Sequence, residues 1–185
     1  NGKMVCAMGI PASGKSSVLK ELSKLFEEET VSFFEPEEND LNTPWPKAVT
    51  MRQTYGFFGS ITWFRSMRVP QLYDADEVRR SGKIALVDSY FDKLLVNYLD
   101  KDGLDWFLPR NDLYFEVVKA MAERDYRLLP NADIVIFFKV SEQNWQFFYK
   151  DRNRGIDQEV EFRDQCFSLQ LPMLDACKKY VVDYG

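Results

Sequence analysis

The segment Gly9–Ser16, with the sequence GIPASGKS, is the part of this 185-residue chain whose residue types and spacing point most clearly to chemistry. It matches the phosphate-binding pattern G-x-x-x-x-G-K-[ST], in which small residues let successive backbone N–H groups surround phosphate oxygens. In such a loop the lysine, here Lys15, pairs with the β- and γ-phosphates, and the hydroxyl of Ser16 binds Mg²⁺. The residues predicted to bind ATP are Gly9, Ile10, Pro11, Ala12, Ser13, Gly14, Lys15, Ser16 and Ser17.

Asp88 is the second candidate, because it directly follows the apolar run Ile84–Val87. A carboxylate at the end of a strand beside a phosphate loop can reach the water shell of Mg²⁺. The alternative is that Asp88 caps a helix beginning at Ser89 or Tyr90. No glutamate follows Asp88, and the chain has no N-K-x-D sequence for guanine recognition. The sequence therefore favours phosphoryl transfer to a small acceptor over a motor or a GTPase switch.

Glu35 is the third candidate, because it follows a second apolar run, Val31–Phe34. In open α/β sheets, ligands bind beyond the carboxyl ends of the strands, and a carboxylate there can accept the proton of an attacking hydroxyl. The alternative is an ordinary acidic turn, since Glu37 and Glu38 follow closely.

Two arginines, Arg152 and Arg154, stand two residues apart beside Gly155. Guanidinium groups bind phosphate oxygens bidentately and stabilise the negative charge that spreads over a transferring phosphoryl group. A solvated charged turn is the alternative. Because the same chain carries a phosphate loop, the sequence predicts an arginine lid at about residues 150–158.

Alternating strand and helix patterns are expected to position these residues. Short, almost continuous apolar runs predict parallel strands that helices cover on both faces, and the amphipathic segments between them predict those helices. Residues 1–185 are therefore expected to form a single α/β domain with three layers, a parallel sheet flanked by helices. The predicted strands are Val5–Met8, Val31–Phe34, Ile84–Val87 and Asp133–Lys139, with a fifth at Tyr180–Val182. The predicted helices carry apolar stripes over Val18–Phe26, Phe91–Leu99, Leu113–Met121, Trp145–Tyr149 and Phe162–Met173, the last interrupted by Pro172.

Composition narrows the class of protein further. Hydrophobic residues make up 45% of the chain, enough for a full core, which excludes intrinsic disorder. A formal net charge of −5 argues against general binding to nucleic acid or to acidic membranes. The absence of histidine excludes catalysis and metal sites that need imidazole. With no signal peptide, no membrane-spanning run and three scattered cysteines, the sequence predicts a cytoplasmic protein.

In order along the chain, these pieces resemble the deoxyribonucleoside kinases, within the wider group of phosphate-loop nucleoside and nucleotide kinases. Besides the loop, Phe34-Glu35-Pro36 resembles the family's Glu-Pro segment, and Met51–Gly56 is similar to the helix that supplies its base-contacting glutamine. The resemblance implies that Glu35 is the general base for the sugar 5′-hydroxyl and that Gln53 contacts the base. It also implies that Arg152 and Arg154 are lid arginines and that Asp157 binds the sugar 3′-hydroxyl.

The chain departs from this family at one position that matters. The family's acidic-Arg-Ser segment reads Asp88-Ser89-Tyr90 here, so the arginine that supports the 5′-oxygen is absent, and Arg65 and Arg68 are the candidates to replace it. Phe57 is the candidate for stacking on the base, because it lies one helical turn after Gln53.

The resemblance implies a kinase that uses ATP and Mg²⁺ to phosphorylate a small-molecule acceptor, with the 5′-hydroxyl of a deoxyribonucleoside as the leading acceptor. A nucleoside-monophosphate kinase, a kinase for a non-nucleoside metabolite or antibiotic, and a nucleotide-binding regulatory module without turnover are the alternatives. No nucleic-acid polymer or membrane is expected as a partner, and a homodimer stays open.

Overall fold

The structure is a computed structural model that describes residues 2–35, 48–99, 101, 108–152 and 165–185, without the side chains of residues 48–55 and 152. In this part of the chain, four strands form one parallel sheet in the order β2-β3-β1-β4. The strands are β1 at Lys3–Met8, β2 at Thr30–Phe33, β3 at Ile84–Val87 and β4 at Ile134–Phe137.

The helices are α1 at Lys15–Leu25, α2 at Ala48–Arg80, α3 at Phe91–Leu94, α4 at Phe115–Leu128, α5 at Glu142–Arg152 and α6 at Gln170–Tyr184, with a 3₁₀ turn at Leu95–Asn97. The long α2 consists of two helices that meet at Gly56, whose φ of 68° and ψ of −172° break the helical path. Glycine permits this positive φ because it has no Cβ.

The register of the sheet brings the carboxyl ends of its strands to one edge. Cys6 of β1 lies opposite Val87 of β3, and Val87 in turn lies opposite Phe33 of β2. Because the strands are parallel, the residues that follow them emerge at the same edge. The phosphate loop, Glu35 and Asp88 are those residues.

Both faces of β1 are buried, as its continuous apolar run predicts. Alternate residues of β1 face opposite ways: Met4, Cys6 and Met8 join the larger core with residues of α2, α3, α4 and α6. On the other face, Val5 and Ala7 pack with Leu19 of α1. The predicted three-layer arrangement is therefore confirmed.

The predicted fifth strand at the C-terminal end is wrong, because Tyr180–Val182 belong to α6. The helix buries Met173, Ala176, Cys177 and Tyr180, which lie three or four positions apart, whereas Val182 is 84% exposed. Burial at helical spacing overrides the β preference of the two valines.

The predicted apolar stripe of α4 is confirmed at Val118 and Met121, which pack in the core, and is wrong at Leu113 and Val117. Leu113 precedes the helix and Val117 is exposed, whereas Phe115, Val118, Ala122 and Asp125 are the buried positions. On this face the apolar residues pack in the core, and Asp125 pairs with Arg65 of α2.

Residue types at the N-termini of α5 and α6 suit their positions. Ser141 precedes α5, and its Oγ accepts a hydrogen bond from the backbone N–H of Asn144 at 3.3 Å. The chain turns at Leu169 before α6, and Pro172 lies in the first turn, where its missing N–H removes no helical bond. No helix in the described ranges has both the length and the apolar character needed to cross a membrane.

Candidate active site

The phosphate loop takes its shape from two glycines. Gly9 has a φ of 151°, and a Cβ built there would lie 2.8 Å from the Oγ of Ser13 and 2.9 Å from the carbonyl oxygen of Phe138. Gly14 adopts the left-handed conformation, with a φ of 86°, immediately before α1 begins. The loop therefore leads directly into a helix N-terminus, whose N–H groups and positive dipole end favour an anion.

Lys15 folds back over this loop. Its Nζ donates to the carbonyl oxygens of Gly9 and Ile10 at 2.9 and 3.0 Å, and contacts the Oγ of Ser13 at 3.5 Å. The backbone thus holds the ammonium group within the loop, where its charge can neutralise a bound phosphate.

The loop is also anchored from the opposite end of the chain. The indole Nε1 of the buried Trp145 on α5 donates to the carbonyl oxygen of Pro11 at 2.9 Å. This contact ties the loop to the helix whose last residue is Arg152. The sequence suggested only packing for Trp145, since nothing in its local pattern indicates a partner 134 positions away.

Ser16 and Asp88 meet across the sheet edge. The Oγ of Ser16 donates to the Asp88 carboxylate, at 2.8 Å from Oδ2 and 3.1 Å from Oδ1. Helix α3 begins at Phe91 after Tyr90, so Asp88 does not cap it. A hydroxyl and a carboxylate are hard oxygen donors of the kind that hold Mg²⁺ together with phosphate oxygens and water, so the pair fits that ion.

Burial and several neighbouring groups shift the pKa of Asp88. Burial raises the pKa of this carboxyl above its usual range, and the negative charge of Glu35 adds to the effect. The hydrogen bond from Ser16, the charge of Lys15 and a hydrogen bond from the backbone N–H of Glu35 act in the opposite direction. Asp88 therefore contacts both the phosphate loop and the segment that carries Glu35.

Glu35 lies at the outer end of a buried ionic cluster. Nη1 of Arg68 on α2 donates to its Oε1 at 3.0 Å, while Nε and Nη2 of Arg68 donate to Asp92 on α3 at 2.7 and 3.1 Å. Burial disfavours the arginine's charge, but Asp92 and Glu35 more than offset this and raise the pKa of Arg68 above its ordinary value. The arginine is therefore permanently charged beside Glu35.

Of the two arginines that the sequence offered in place of the absent one, only Arg68 is seen beside Glu35. Arg65 forms a bidentate pair with Asp125 of α4, at 2.5 and 2.7 Å. The signal that sequence reasoning missed is Asp92, a charged residue within the apolar stripe from Phe91 to Leu99. A buried carboxylate in such a stripe requires a cationic partner.

The structure describes the remaining predicted site residues only in part. Arg154 and Asp157 lie outside the described residues, and Gln53 and Arg152 lie in α2 and α5 without described side chains. Phe57 is half-buried against the larger core. The helical spacing that was expected to place it on the face of Gln53 does not hold, because Gly56 interrupts the helix between them.

Comparison with known proteins gives a fold-level result. No protein-family model and no curated protein sequence matches the chain. Among solved structures, the deoxyadenosine kinase of M. mycoides with bound dATP is 19% identical over 98% of this chain and 86% of that chain, with a TM-score of 0.69. The same enzyme with the products dCMP and dCDP is 18% identical over the same shares, with a TM-score of 0.65. The chain has the phosphate-loop kinase fold.

A thymidylate kinase from Ehrlichia chaffeensis is more distant. It is 17% identical over 82% of this chain and 78% of that chain, with a TM-score of 0.50. The likeness to the deoxyribonucleoside kinases that the motifs indicated is thus confirmed at the level of the fold.

Proposed function

We propose that this chain is a kinase that uses ATP and Mg²⁺ to phosphorylate the 5′-hydroxyl of a deoxyribonucleoside. The observation that carries the proposal is the position of Asp88. Its carboxylate contacts Ser16 of the phosphate loop and the backbone N–H of Glu35. The residue that would hold the donor's metal is thus hydrogen-bonded to the backbone of the residue that would activate the acceptor, at one sheet edge.

Each residue then has a defined task. The N–H groups of the loop and the ammonium of Lys15 bind the β- and γ-phosphates. Ser16 and Asp88 hold Mg²⁺, which when bound neutralises charge on the phosphate oxygens. Glu35, whose side chain is 34% exposed, takes the proton of the acceptor hydroxyl as that oxygen attacks in line. Arg152 and Arg154 are proposed to close over the transferring group.

The charge around Glu35 favours a nucleoside over its monophosphate. An acceptor phosphate carries about two negative charges and needs unpaired cations nearby. Of the nearby arginines Arg52, Arg65 and Arg68, the structure describes the side chains of the last two, and both are paired, with the carboxylates of Asp125, Asp92 and Glu35. Carboxylates suit a neutral sugar hydroxyl, which donates to them, and repel a phosphate. The M. mycoides enzyme, for which dCMP is named as a product, agrees with a nucleoside acceptor.

The acceptor would lie in the crevice beyond Glu35. We assign Gln53 to contact the base and Asp157 to bind the sugar 3′-hydroxyl, on the strength of the motifs that resemble the deoxyribonucleoside kinases. All three cysteines are buried free thiols, which suits a protein that acts in the reducing cytoplasm. A homodimer is compatible with this assignment.

A nucleoside-monophosphate kinase is the second candidate, favoured by the fold shared with thymidylate kinase. A nucleotide-binding module without turnover is the third, because no arginine follows Asp88. One experiment separates the three: ADP release is measured with ATP, Mg²⁺ and a panel of nucleosides, their 5′-monophosphates and other hydroxyl-bearing metabolites.

The proposal predicts ADP release that depends on an added nucleoside, with a higher kcat/KM than for the matching monophosphate. The reverse preference would replace it with the second candidate. ATP binding without turnover across the whole panel would support the module.

A further inference from the structure

Arg68 connects the protein interior to Glu35. Nε and Nη2 of its guanidinium group engage both carboxylate oxygens of Asp92, and Nη1 engages Glu35. We propose that Asp92 and Arg68 form a positioning device for the general base: Asp92 fixes the guanidinium fork, and Arg68 holds the Glu35 carboxylate towards the acceptor hydroxyl. This inference rests on the proposed function and adds two residues to it.

The geometry makes the direction of Nη1 a fixed property of the fold. A planar guanidinium that binds a carboxylate through two nitrogens has its third nitrogen pointed along a set line. The group also lies over the aromatic rings of Phe64 and Phe91, 5.3 and 5.0 Å from their centroids. Contacts from α2 and α3 therefore restrict the plane of the fork.

Burial falls from the inner end of the cluster to the outer end. The exposed fractions of the side chains are 1% for Asp92, 10% for Arg68 and 34% for Glu35. The rigid pair is thus enclosed by protein, and the carboxylate that it holds is the member that an acceptor can reach.

A purely structural role, in which Arg68 and Asp92 only join α2 to α3, would not explain the bond from Arg68 to Glu35. The pair of Arg68 and Asp92 is already electrically neutral and bidentate without Glu35. The pair of Arg65 and Asp125 shows that a bidentate bridge from α2 is formed elsewhere in the same helix, towards α4. The additional bond from Nη1 to Glu35 is what a positioning role requires.

The test compares steady-state kinetics of variants with a nucleoside acceptor at saturating Mg²⁺. Glu35→Gln is expected to lower kcat roughly 10²- to 10⁴-fold, and Arg68→Met roughly 10- to 100-fold, with KM for ATP unchanged in both. Asp92→Asn is expected to lower kcat less than Arg68→Met, because the amide still accepts one hydrogen bond. In the Glu35→Gln background, Arg68→Met should have no further effect, because a positioning residue acts only through the base.

Matched controls come from the same helix. Arg65→Met and Asp125→Asn remove a bidentate pair that does not touch Glu35, so they should leave kcat per folded molecule unchanged even where Tm falls. Circular dichroism fixes the folded fraction of every variant. If Arg68→Met does not fold, Arg68→Lys replaces it in the test. Lysine keeps the positive charge but lacks the planar fork, so kcat should fall by a smaller factor than the one expected for Arg68→Met.

Two results would overturn the inference while leaving the kinase assignment intact. One is a kcat per folded molecule that is unchanged in the Arg68 and Asp92 variants. The other is a loss from Arg68→Met that multiplies with the loss from Glu35→Gln. Wild-type turnover in Glu35→Gln alone would instead show that the proposed base is wrong, and the inference would fall with it.

Discussion

Replacing Asp88 by asparagine tests the centre of the proposed site, because it removes one charge and hardly changes shape. The side chain is 6% exposed and accepts hydrogen bonds from the Ser16 hydroxyl and the Glu35 backbone. The amide oxygen of asparagine can still accept at this position. The substitution therefore separates the negative charge of Asp88 from its hydrogen bonds.

The structure predicts that stability and activity will change in opposite directions. Burial raises the pKa of Asp88, which means that its ionised form costs free energy in the folded state, at about 1.4 kcal/mol per pKa unit. Asparagine has no such cost, so Asp88→Asn should match or exceed the wild-type Tm at pH 7. Loss of the charge should weaken apparent Mg²⁺ affinity by roughly 10- to 100-fold and lower kcat by roughly 10²- to 10³-fold.

The pH dependence of this stability difference has a defined sign. A carboxyl whose pKa is raised by folding binds its proton more tightly in the folded state, so wild-type stability gains as the pH falls towards the ordinary value of 3.8. The advantage of Asp88→Asn should therefore shrink between pH 7 and pH 4, as measured by urea denaturation at several pH values.

The assay is turnover as a function of Mg²⁺ concentration, with thermal unfolding measured on the same samples. Asp112→Asn is a suitable control, because Asp112 accepts a hydrogen bond from the backbone of Tyr114 in the turn before α4. A Mg²⁺ titration and kcat that match wild type in Asp88→Asn would refute the reasoning and reduce Asp88 to a structural residue.

Three further predictions follow from single residues. Lys15→Ala should lower kcat/KM at least 10²-fold with an unchanged circular dichroism spectrum, because it removes the ammonium group and its hydrogen bonds to two loop carbonyls but changes no residue of the core. Gly9→Ala should impair ATP binding, measured by calorimetry, because its Cβ would lie 2.8 Å from the Ser13 Oγ and its φ is 151°. Burial lowers the pKa of Lys93 to about 8 from an ordinary value of 10.5. The unfolded chain therefore binds more protons between these pH values, and wild-type stability should rise relative to Lys93→Met across that window, as urea denaturation can measure.

The strands and the phosphate loop could be predicted because their signals are local. A run such as Ile84–Val87 is apolar at every position, and a strand buried on both faces needs no more than that. The loop likewise depends on glycines at fixed spacing, and the structure gives both Gly9 and Gly14 a positive φ. Those signals place Asp88 and Glu35 at one sheet edge before any tertiary contact is known.

The cluster around Glu35 could not be predicted, because its members come from three elements. Arg68 and Asp92 lie 24 positions apart, and Arg68 and Glu35 lie 33 positions apart. The sequence offered Arg65 and Arg68 as equal candidates to replace the absent arginine. Which of them lies beside Glu35 depends on how α2 packs against α3 and α4. Tertiary packing likewise determines which face of α4 is buried and keeps Tyr180 in a helix.

The pairing of Arg65 and Arg68 is the basis of the proposed preference for a nucleoside acceptor. A parallel sheet brings the loop, Asp88 and Glu35 to one edge whatever the acceptor is, so the fold alone serves nucleoside and monophosphate kinases equally. The difference lies in whether an unpaired cation faces the crevice. Here Asp125 and Asp92 bind the guanidinium groups of Arg65 and Arg68, and Nη1 of Arg68 also donates to Glu35. Under the proposal, a neutral hydroxyl gains a base from this arrangement, whereas a phosphate that used Arg68 would have to displace Glu35 from it.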